Sequence, residues 1–166
     1  MTARPQPPGW IRPADAGDQR FLASMLGQAV AWRPGEAALD ADAVLATPEL
    51  AHYLDGWPRA EDFGLVFAER DPIGAAWWRQ FRAEEPGYGY VAEDVPEVAI
   101  AVRAQWRGRG IGTSLLQALI ESAASRDVRA LSLTVERANP ARHLYERLGF
   151  TTVGPIGNAI TMALDL

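Results

Sequence analysis

A short run of alternating glycines and arginines is the part of this 166-residue sequence best suited to chemistry. The run reads Arg107-Gly108-Arg109-Gly110-Ile111-Gly112-Thr113. It separates an alternating apolar stretch, typical of a strand, from a periodic apolar stretch, typical of a helix. At such a junction, unpaired backbone N–H groups and the helix dipole favour an anion, which glycines allow the main chain to approach and arginines help to hold. The run predicts a phosphate site, with a tight glycine turn as the alternative.

Two other phosphate-binding patterns do not fit this run. A Walker A loop needs a lysine, and the chain has none. A dinucleotide fingerprint that began at Gly108 would need glycine at position 113, which is Thr113. An NTPase loop is therefore excluded, and a nicotinamide-dependent enzyme is disfavoured.

Composition excludes several further kinds of chemistry. The chain has no cysteine, so it has no disulfide, no thiolate nucleophile and no cysteine-ligated zinc. Without lysine it can form no Schiff base on a lysine side chain. Its two histidines, His52 and His143, are too few for a three-histidine zinc site, and we expect both to be exposed and without a role; no metal is predicted. The net charge of −5 argues against a general nucleic-acid binder.

The ends and the overall organisation of the sequence are simple. Residues 1–9 contain three prolines and predict a flexible arm, whereas residues 10–166 predict a single domain. No apolar run is long enough for a secretory signal or a membrane span, so we expect a cytoplasmic protein.

The elements that would position the glycine run follow from apolar periodicity. The predicted strands are 10–12, 63–69, 73–79, 98–102, 131–135, 150–153 and 159–164, with a short additional strand at 88–92 in the otherwise loop-like segment 80–96. The predicted helices are 18–30, 40–46, 47–54, one from the glycine run to about Arg126, and 140–148. The two strands on either side of the helix that follows the glycine run should be parallel, as in a βαβ unit. The pattern predicts an α+β protein with hairpins before and after this unit.

The segment 97–150 resembles the GCN5-related N-acetyltransferases, which bind acetyl-coenzyme A. Arg107-x-x-Gly110-x-Gly112 resembles their pyrophosphate motif, residues 97–102 their fourth strand, and residues 139–141 and 144–150 the end of their fifth strand and their fourth helix. Residues 11–15 also resemble the first strand, while Ala104 departs from the proline often found past the fourth. The resemblance implies a mixed, mostly antiparallel sheet with helices on both faces, in which the central parallel βαβ strands splay apart for the cofactor.

The resemblance also implies which residues hold the cofactor, acetyl-CoA. The backbone at Val102 would pair with the pantetheine arm. The pyrophosphate would be surrounded by Arg107, Gly108, Arg109, Gly110, Ile111, Gly112 and Thr113. Asn139 would contact the cofactor, cap the helix after Pro140, or do both.

Two side chains are the candidates for catalysis. By resemblance, Tyr145 is the general acid that protonates the departing thiolate; the alternative is a boundary aromatic on a helix with Leu144 and Leu148 as its core stripe. An ammonium acceptor must lose a proton, and strand alternation places Glu97 on the Ala99 side as a candidate base, acting directly or through water. The alternative for Glu97 is an ordinary carboxylate at a strand edge, without a catalytic role. The alternative candidate for the base is Glu136.

The predicted reaction is direct acetyl transfer from acetyl-CoA to a primary amine, carried by a small molecule or a protein. Segment 84–97 has five carboxylates and no arginine, so it could attract a cationic amine, with aromatic walls from Tyr88, Tyr90, Trp77 and Trp78. A solvated acidic loop over core aromatics is the alternative. A non-catalytic acyl-CoA sensor with the same fold is the second functional hypothesis, and either a monomer or a homodimer is compatible with the sequence.

Overall fold

The computed structural model describes residues 8–166, in which seven strands form one sheet. The strands are β1 (Trp10–Pro13), β2 (Phe63–Ala68), β3 (Pro72–Arg79), β4 (Glu97–Val102), β5 (Ala130–Glu136), β6 (Thr151–Ile156) and β7 (Ala159–Asp165). Their order in the sheet is β1-β2-β3-β4-β5-β7-β6, and each neighbouring pair is antiparallel except β4 and β5. The predicted mixed sheet with one central parallel pair is confirmed.

Helices cover both faces of this sheet, as predicted. They are α1 (Gln19–Val30), α2 (Ala41–Ala46), α3 (Pro48–Ala51), α4 (Ile111–Ser125) and α5 (Ala141–Arg147). One apolar core joins α1 and α2 to one face, with Leu22, Val44 and Trp77 among its buried side chains. The other core joins α4 to the opposite face, with Leu115 and Leu119 fully buried. Within residues 8–166, no helix has both the length and the apolar character needed to span a membrane.

The parallel strands β4 and β5 pair only where they begin. Glu97 is the one residue of β4 that lies in register with β5, opposite Ser132, and the Ser132 N–H donates to the Pro96 carbonyl at 2.9 Å. Beyond Glu97, β4 has no ladder partner on the β5 side among the described residues. The two strands therefore diverge and leave an opening in the middle of the sheet.

A buried ion pair fixes the segment that follows α3. Arg79 at the end of β3 is 1% exposed, and its Nη2 donates to Asp62 Oδ2 at 2.6 Å. Its Nη1 also donates to the carbonyls of His52 and Asp55, at 3.0 and 2.9 Å. Because a buried charge is costly unless it is paired and hydrogen-bonded, these contacts hold the turn at residues 52–55 against β3.

Two local predictions differ from the structure, and a third lies mostly outside the described residues. The short strand at 88–92 is wrong, because a turn in which the Tyr90 N–H donates to the Gly87 carbonyl occupies that position. His52 is half-buried against the rings of Tyr53 and Phe81 rather than exposed. The predicted arm at 1–9 lies outside the described residues except for its last two positions.

Candidate active site

A cleft of about 720 Å³ occupies the opening between β4 and β5. Its wall includes side chains from both faces of the sheet, since α1 and α3 contribute from one face and α4 and α5 from the other. The cleft is lined by every residue of the predicted set except Arg109: Glu97, Val102, Arg107, Gly108, Gly110, Ile111, Gly112, Thr113, Asn139 and Tyr145. The divergence of two strands thus brings together residues that lie up to 48 positions apart in the sequence.

The glycine turn, residues 107–113, forms an open cradle at one end of the cleft. Gly108 and Gly110 have φ angles of 76° and 82°, which favour glycine, and a Cβ at either position would meet no atom within 4 Å. The backbone N–H groups from Gly108 to Thr113 donate to no partner among the described residues. Gly110 caps α4, so these free N–H groups lie at the positive end of a 15-residue helix. This is the arrangement that binds an anion.

The arginines near the glycine turn differ in where their charge lies. Arg107 lines the cleft, and its Nε donates to the Val102 carbonyl at 3.1 Å. Arg109 instead stacks over the Trp106 ring at 4.7 Å and does not line the cleft. Arg147, at the end of α5, lines the cleft although the sequence did not single it out. The positive charge at this end therefore comes from Arg107 and Arg147.

Glu97 is a buried carboxylate at the point where the strands separate. It is 2% exposed, and its Oε1 accepts from the Tyr53 hydroxyl at 2.8 Å and from the Gly89 N–H at 2.9 Å. Burial raises the pKa of Glu97 to about 7, against the opposing effect of these two hydrogen bonds. Its other oxygen, Oε2, is buried and has no hydrogen-bond partner among the described residues. Glu97 is thus held through one oxygen, while the second is enclosed and lacks a partner.

Two glycines allow the loop before β4 to lie directly over this carboxylate. A Cβ at Gly87 would lie 1.9 Å from Glu97 Oε2, and a Cβ at Gly89 would lie 2.6 Å from the backbone carbon of Leu133. Both distances are shorter than real contacts allow, so another residue would have to displace the Glu97 side chain at position 87 or the backbone at position 89. The Tyr88 N–H, between them, donates to the Tyr53 hydroxyl at 2.9 Å. Tyr53 therefore ties this loop to Glu97.

Tyr145 lies on α5 and lines the cleft from the opposite face of the sheet. It is 8% exposed and packs against Phe150, whereas Leu144 and Leu148 are only half-buried. Desolvation raises the pKa of Tyr145 to about 12, so its hydroxyl remains protonated at neutral pH. Among the described residues, this hydroxyl has no hydrogen-bond partner. It is a free donor at the wall of the cleft.

Asn139 and Glu136 lie where β5 leads into α5. The Asn139 side chain accepts from the Ala141 N–H at 2.9 Å, but the N-cap of α5 is Pro140, so Asn139, which was predicted as the cap, lies one residue before it. Asn139 also lines the cleft. Glu136 does not line it and forms an ion pair with Arg33. The geometry therefore favours Glu97 over Glu136 as the proton acceptor.

The acidic segment 84–97 is not a continuous charged rim. Asp94 is paired with Arg129, at 2.9 Å between Oδ1 and Nη2, and Glu97 is buried. Trp77 and Trp78 are core residues that do not line the cleft, which leaves Tyr88 as the aromatic residue of the expected wall that does. Within residues 8–166, no three His, Asp or Glu side chains are close enough to hold a metal ion.

Comparison with known proteins places the chain in a family. A sequence model described as "Acetyltransferase (GNAT) family" matches residues 31–150. An N-acetyltransferase of Streptomyces griseus is 30% identical over 164 residues, covering 94% of this chain and 78% of that protein. An L-2,4-diaminobutyric acid acetyltransferase of Nocardia farcinica is 31% identical over 114 residues, covering 60% of this chain and 59% of the relative, so the match spans less than two thirds of that relative. The structure of yncA from Salmonella typhimurium, solved with its cofactor acetyl-CoA, superposes with a TM-score of 0.69 at 23% identity, over 96% of this chain and 95% of that one.

The chain therefore belongs to the GNAT acetyltransferase family, whose members use acetyl-CoA. The cleft has features that fit this cofactor. The unpaired N–H groups of the glycine turn and the cations Arg107 and Arg147 suit a diphosphate, and the unpaired edge of β4 suits the amides of a pantetheine arm.

Proposed function

We propose that this protein transfers an acetyl group from acetyl-CoA to a primary amine, in one step, with both substrates bound. The observation that carries this proposal is that Glu97, Tyr145 and the glycine turn line one cleft, although they lie on different elements. Bound acetyl-CoA supplies the acetyl group as an activated thioester. The relative from Nocardia farcinica, named for an amino-acid acceptor, supports an amine as the acceptor class.

The glycine turn holds the diphosphate in this proposal. Its N–H groups from Gly108 to Thr113 donate to the phosphate oxygens, and Arg107 and Arg147 balance their charge. The edge of β4 that lacks a strand partner aligns the pantetheine arm along the opening, as far as Val102, whose carbonyl accepts from Arg107 Nε. Because these groups are fixed before the cofactor arrives, little ordering is needed on binding.

Glu97 receives the proton that the ammonium must lose. A primary ammonium has a pKa of about 10.4 and is almost fully protonated at neutral pH. The pKa of Glu97 near 7 lies close to working pH, where a general base is most effective. Tyr53 and Gly89 hold Oε1 in place, which leaves Oε2, beneath Gly87, to take the proton directly or through water.

Tyr145 assists departure of the thiolate from the other face of the sheet. A thiol has a pKa of about 8.5, roughly 3.5 units below the value of about 12 at Tyr145. Full proton transfer across that gap costs about 5 kcal/mol, so the hydroxyl acts by donating a hydrogen bond to sulfur. The chain has no cysteine that could carry the acetyl group, which favours direct transfer.

The test is thiol release from acetyl-CoA in the presence of a panel of primary amines. A thiol reagent gives no background, because the protein contains no cysteine. We expect amine-dependent release, and Glu97→Gln should lower kcat by about 10²- to 10³-fold while leaving the Kd of desulfo-CoA within about twofold. The matched control is Glu93→Gln, an exposed carboxylate of the same loop that does not line the cleft. If none of the amines in the panel causes thiol release, the proposed function is contradicted. Full activity of Glu97→Gln contradicts the role of Glu97.

A further inference from the structure

The wall of the cleft on the side of α1 and α3 is apolar and aromatic apart from Gln28, whose Oε1 accepts from Arg107 Nη2 at 3.2 Å. We call the part of this wall beside Glu97, at the start of β4 and so away from the glycine turn that follows β4, the acceptor end, and we assign Trp32, Leu50, Tyr53 and Tyr88 to it. Tyr53 and Tyr88 meet there through the hydrogen bond from the Tyr88 N–H to the Tyr53 hydroxyl. Large apolar side chains in a concave site favour a ligand that buries apolar surface.

The acceptor end has one charged group among the described residues, and that group is acidic. The charged side chains that line the whole cleft are Glu97, Arg107 and Arg147, and the two arginines belong to the end with the glycine turn and α5. A ligand carboxylate placed within reach of Glu97 would therefore meet a like charge and no cation. Such a group would lose its hydration and gain at most a neutral partner, the indole N–H of Trp32, which is a basis for rejecting it.

Arg33 contacts this wall through Trp32 but does not itself line the cleft. Its guanidinium carbon lies 4.5 Å above the centre of the Trp32 ring, and its Nη2 forms the ion pair with Glu136. The face of the Arg33 guanidinium is stacked on Trp32, and its charge is paired with Glu136. Arg33 therefore forms part of the support behind Trp32 rather than a site for a ligand carboxylate.

We propose that the acceptor end takes primary amines carried by an apolar or aromatic group with no carboxylate beside the amine. This inference rests on the proposed acetyl transfer and narrows its acceptor class. The apolar part of the amine packs against Trp32, Leu50 and Tyr88, and the nitrogen reaches Glu97. An α-amino acid with the same side chain brings a second negative charge to this point and is discriminated against.

Matched pairs of amines test the inference directly. Tyramine and tyrosine, tryptamine and tryptophan, and isoamylamine and leucine differ only in the carboxylate. We expect kcat/KM for each decarboxylated partner to exceed that for its amino acid by at least about tenfold. An amino acid used as well as its partner, or better, overturns this inference and leaves the acetyl transfer intact. Turnover of neither member of any pair, nor of any other amine, contradicts the proposed function itself.

A substitution at Tyr88 tests whether the lack of a cation at the acceptor end causes the preference for amines without a carboxylate. Tyr88 is 49% exposed and only its backbone N–H bonds to Tyr53, so Tyr88→Arg can place a guanidinium at the acceptor end without disturbing the core. We expect the preference for tyramine over tyrosine to fall by at least about threefold in this variant. Val91→Arg, an exposed position of the same loop that does not line the cleft, should keep the wild-type ratio. An unchanged ratio in Tyr88→Arg, or an equal change in both variants, counts against the inference.

Discussion

The Tyr53 hydroxyl donates a 2.8 Å hydrogen bond to Glu97 Oε1, joining two buried side chains that are 44 residues apart. Tyr53 follows α3 and Glu97 begins β4, so the bond connects the helical segment before the sheet to the point where β4 and β5 separate. The same hydroxyl accepts from the Tyr88 N–H, which secures the loop over the cleft. One phenol thus fixes both the carboxylate and the loop beside it.

Removal of this hydroxyl should alter the pH dependence of the reaction. The hydrogen bond from Tyr53 lowers the pKa of Glu97, so Tyr53→Phe should raise that pKa further. We expect the acidic limb of the kcat/KM profile to move to higher pH, with roughly a tenfold loss at pH 6 and a smaller loss at pH 9. The profiles are measured with one amine throughout, so that its own titration is common to both proteins. Tyr90→Phe is the control, and coincident profiles for Tyr53→Phe and the wild type would rule out this link.

Glu97 should also make stability depend on pH. Its pKa is about 7 in the folded protein and 4.5 for an ordinary glutamate, so the folded state binds more protons between these values. The free energy of unfolding therefore decreases as the pH rises from 4.5 through 7, by up to about 3 kcal/mol. In Glu97→Gln this loss is absent. The free energy of unfolding of the variant, relative to that of the wild type, should therefore rise by up to that amount between pH 4.5 and pH 8. Urea denaturation across this range measures it, and a difference that stays constant with pH would disprove the burial effect.

Tyr145→Phe should slow turnover without weakening cofactor binding. The hydroxyl has no partner among the described residues, so its loss leaves no buried group unpaired and costs little stability. We expect kcat to fall about ten- to a hundredfold, with the Kd of desulfo-CoA within about twofold of the wild type. Steady-state kinetics and calorimetry separate the two effects. A variant with unchanged kcat would remove Tyr145 from the mechanism.

Arg79 should contribute to both stability and activity. Arg79→Met leaves Asp62 buried without its cation and frees the carbonyls of His52 and Asp55, which we expect to lower the free energy of unfolding by about 3–5 kcal/mol. Because those carbonyls fix the turn that carries Tyr53, kcat/KM should fall as well at a temperature where the variant is folded. The comparison is Arg82→Met, an exposed arginine nearby, with an expected change of about 0.5 kcal/mol or less. Equal free energies of unfolding for the two variants would show that the buried pair of Arg79 and Asp62 does not stabilise the fold.

Local sequence was sufficient to predict one half of the candidate site. The glycine turn and the strand before it depend on residue types within a few positions, such as glycine where Gly108 and Gly110 adopt positive φ angles. The βαβ unit then brings Tyr145 to the same opening, because parallel strands with a helical crossover have few alternative arrangements. The prediction that Glu97 lies on the face of β4 opposite to Val98 follows in the same way from strand alternation.

The other half depends on contacts that leave no local pattern. Tyr53 follows a short helix with ordinary composition, and nothing near it in the sequence indicates that its hydroxyl meets Glu97. Gly87 and Gly89 lie in a segment that the sequence predicts as loop-like, and no local pattern indicates that they lie against the carboxylate. The same packing explains the wrong strand at 88–92, since the loop follows the surface of Glu97 instead of pairing with the sheet. Arg109 likewise stacks on Trp106. The motif does not determine which of the two arginines, Arg107 or Arg109, lines the cleft.

The most direct test of the central claim is a crystal structure of the full chain with desulfo-CoA. We predict the diphosphate within hydrogen-bond distance of backbone N–H groups between Gly108 and Thr113, and the pantetheine arm in the opening between β4 and β5. The end of that arm should lie between Glu97 and Tyr145. A ligand bound elsewhere on the protein, with its diphosphate away from the glycine turn, would contradict the account.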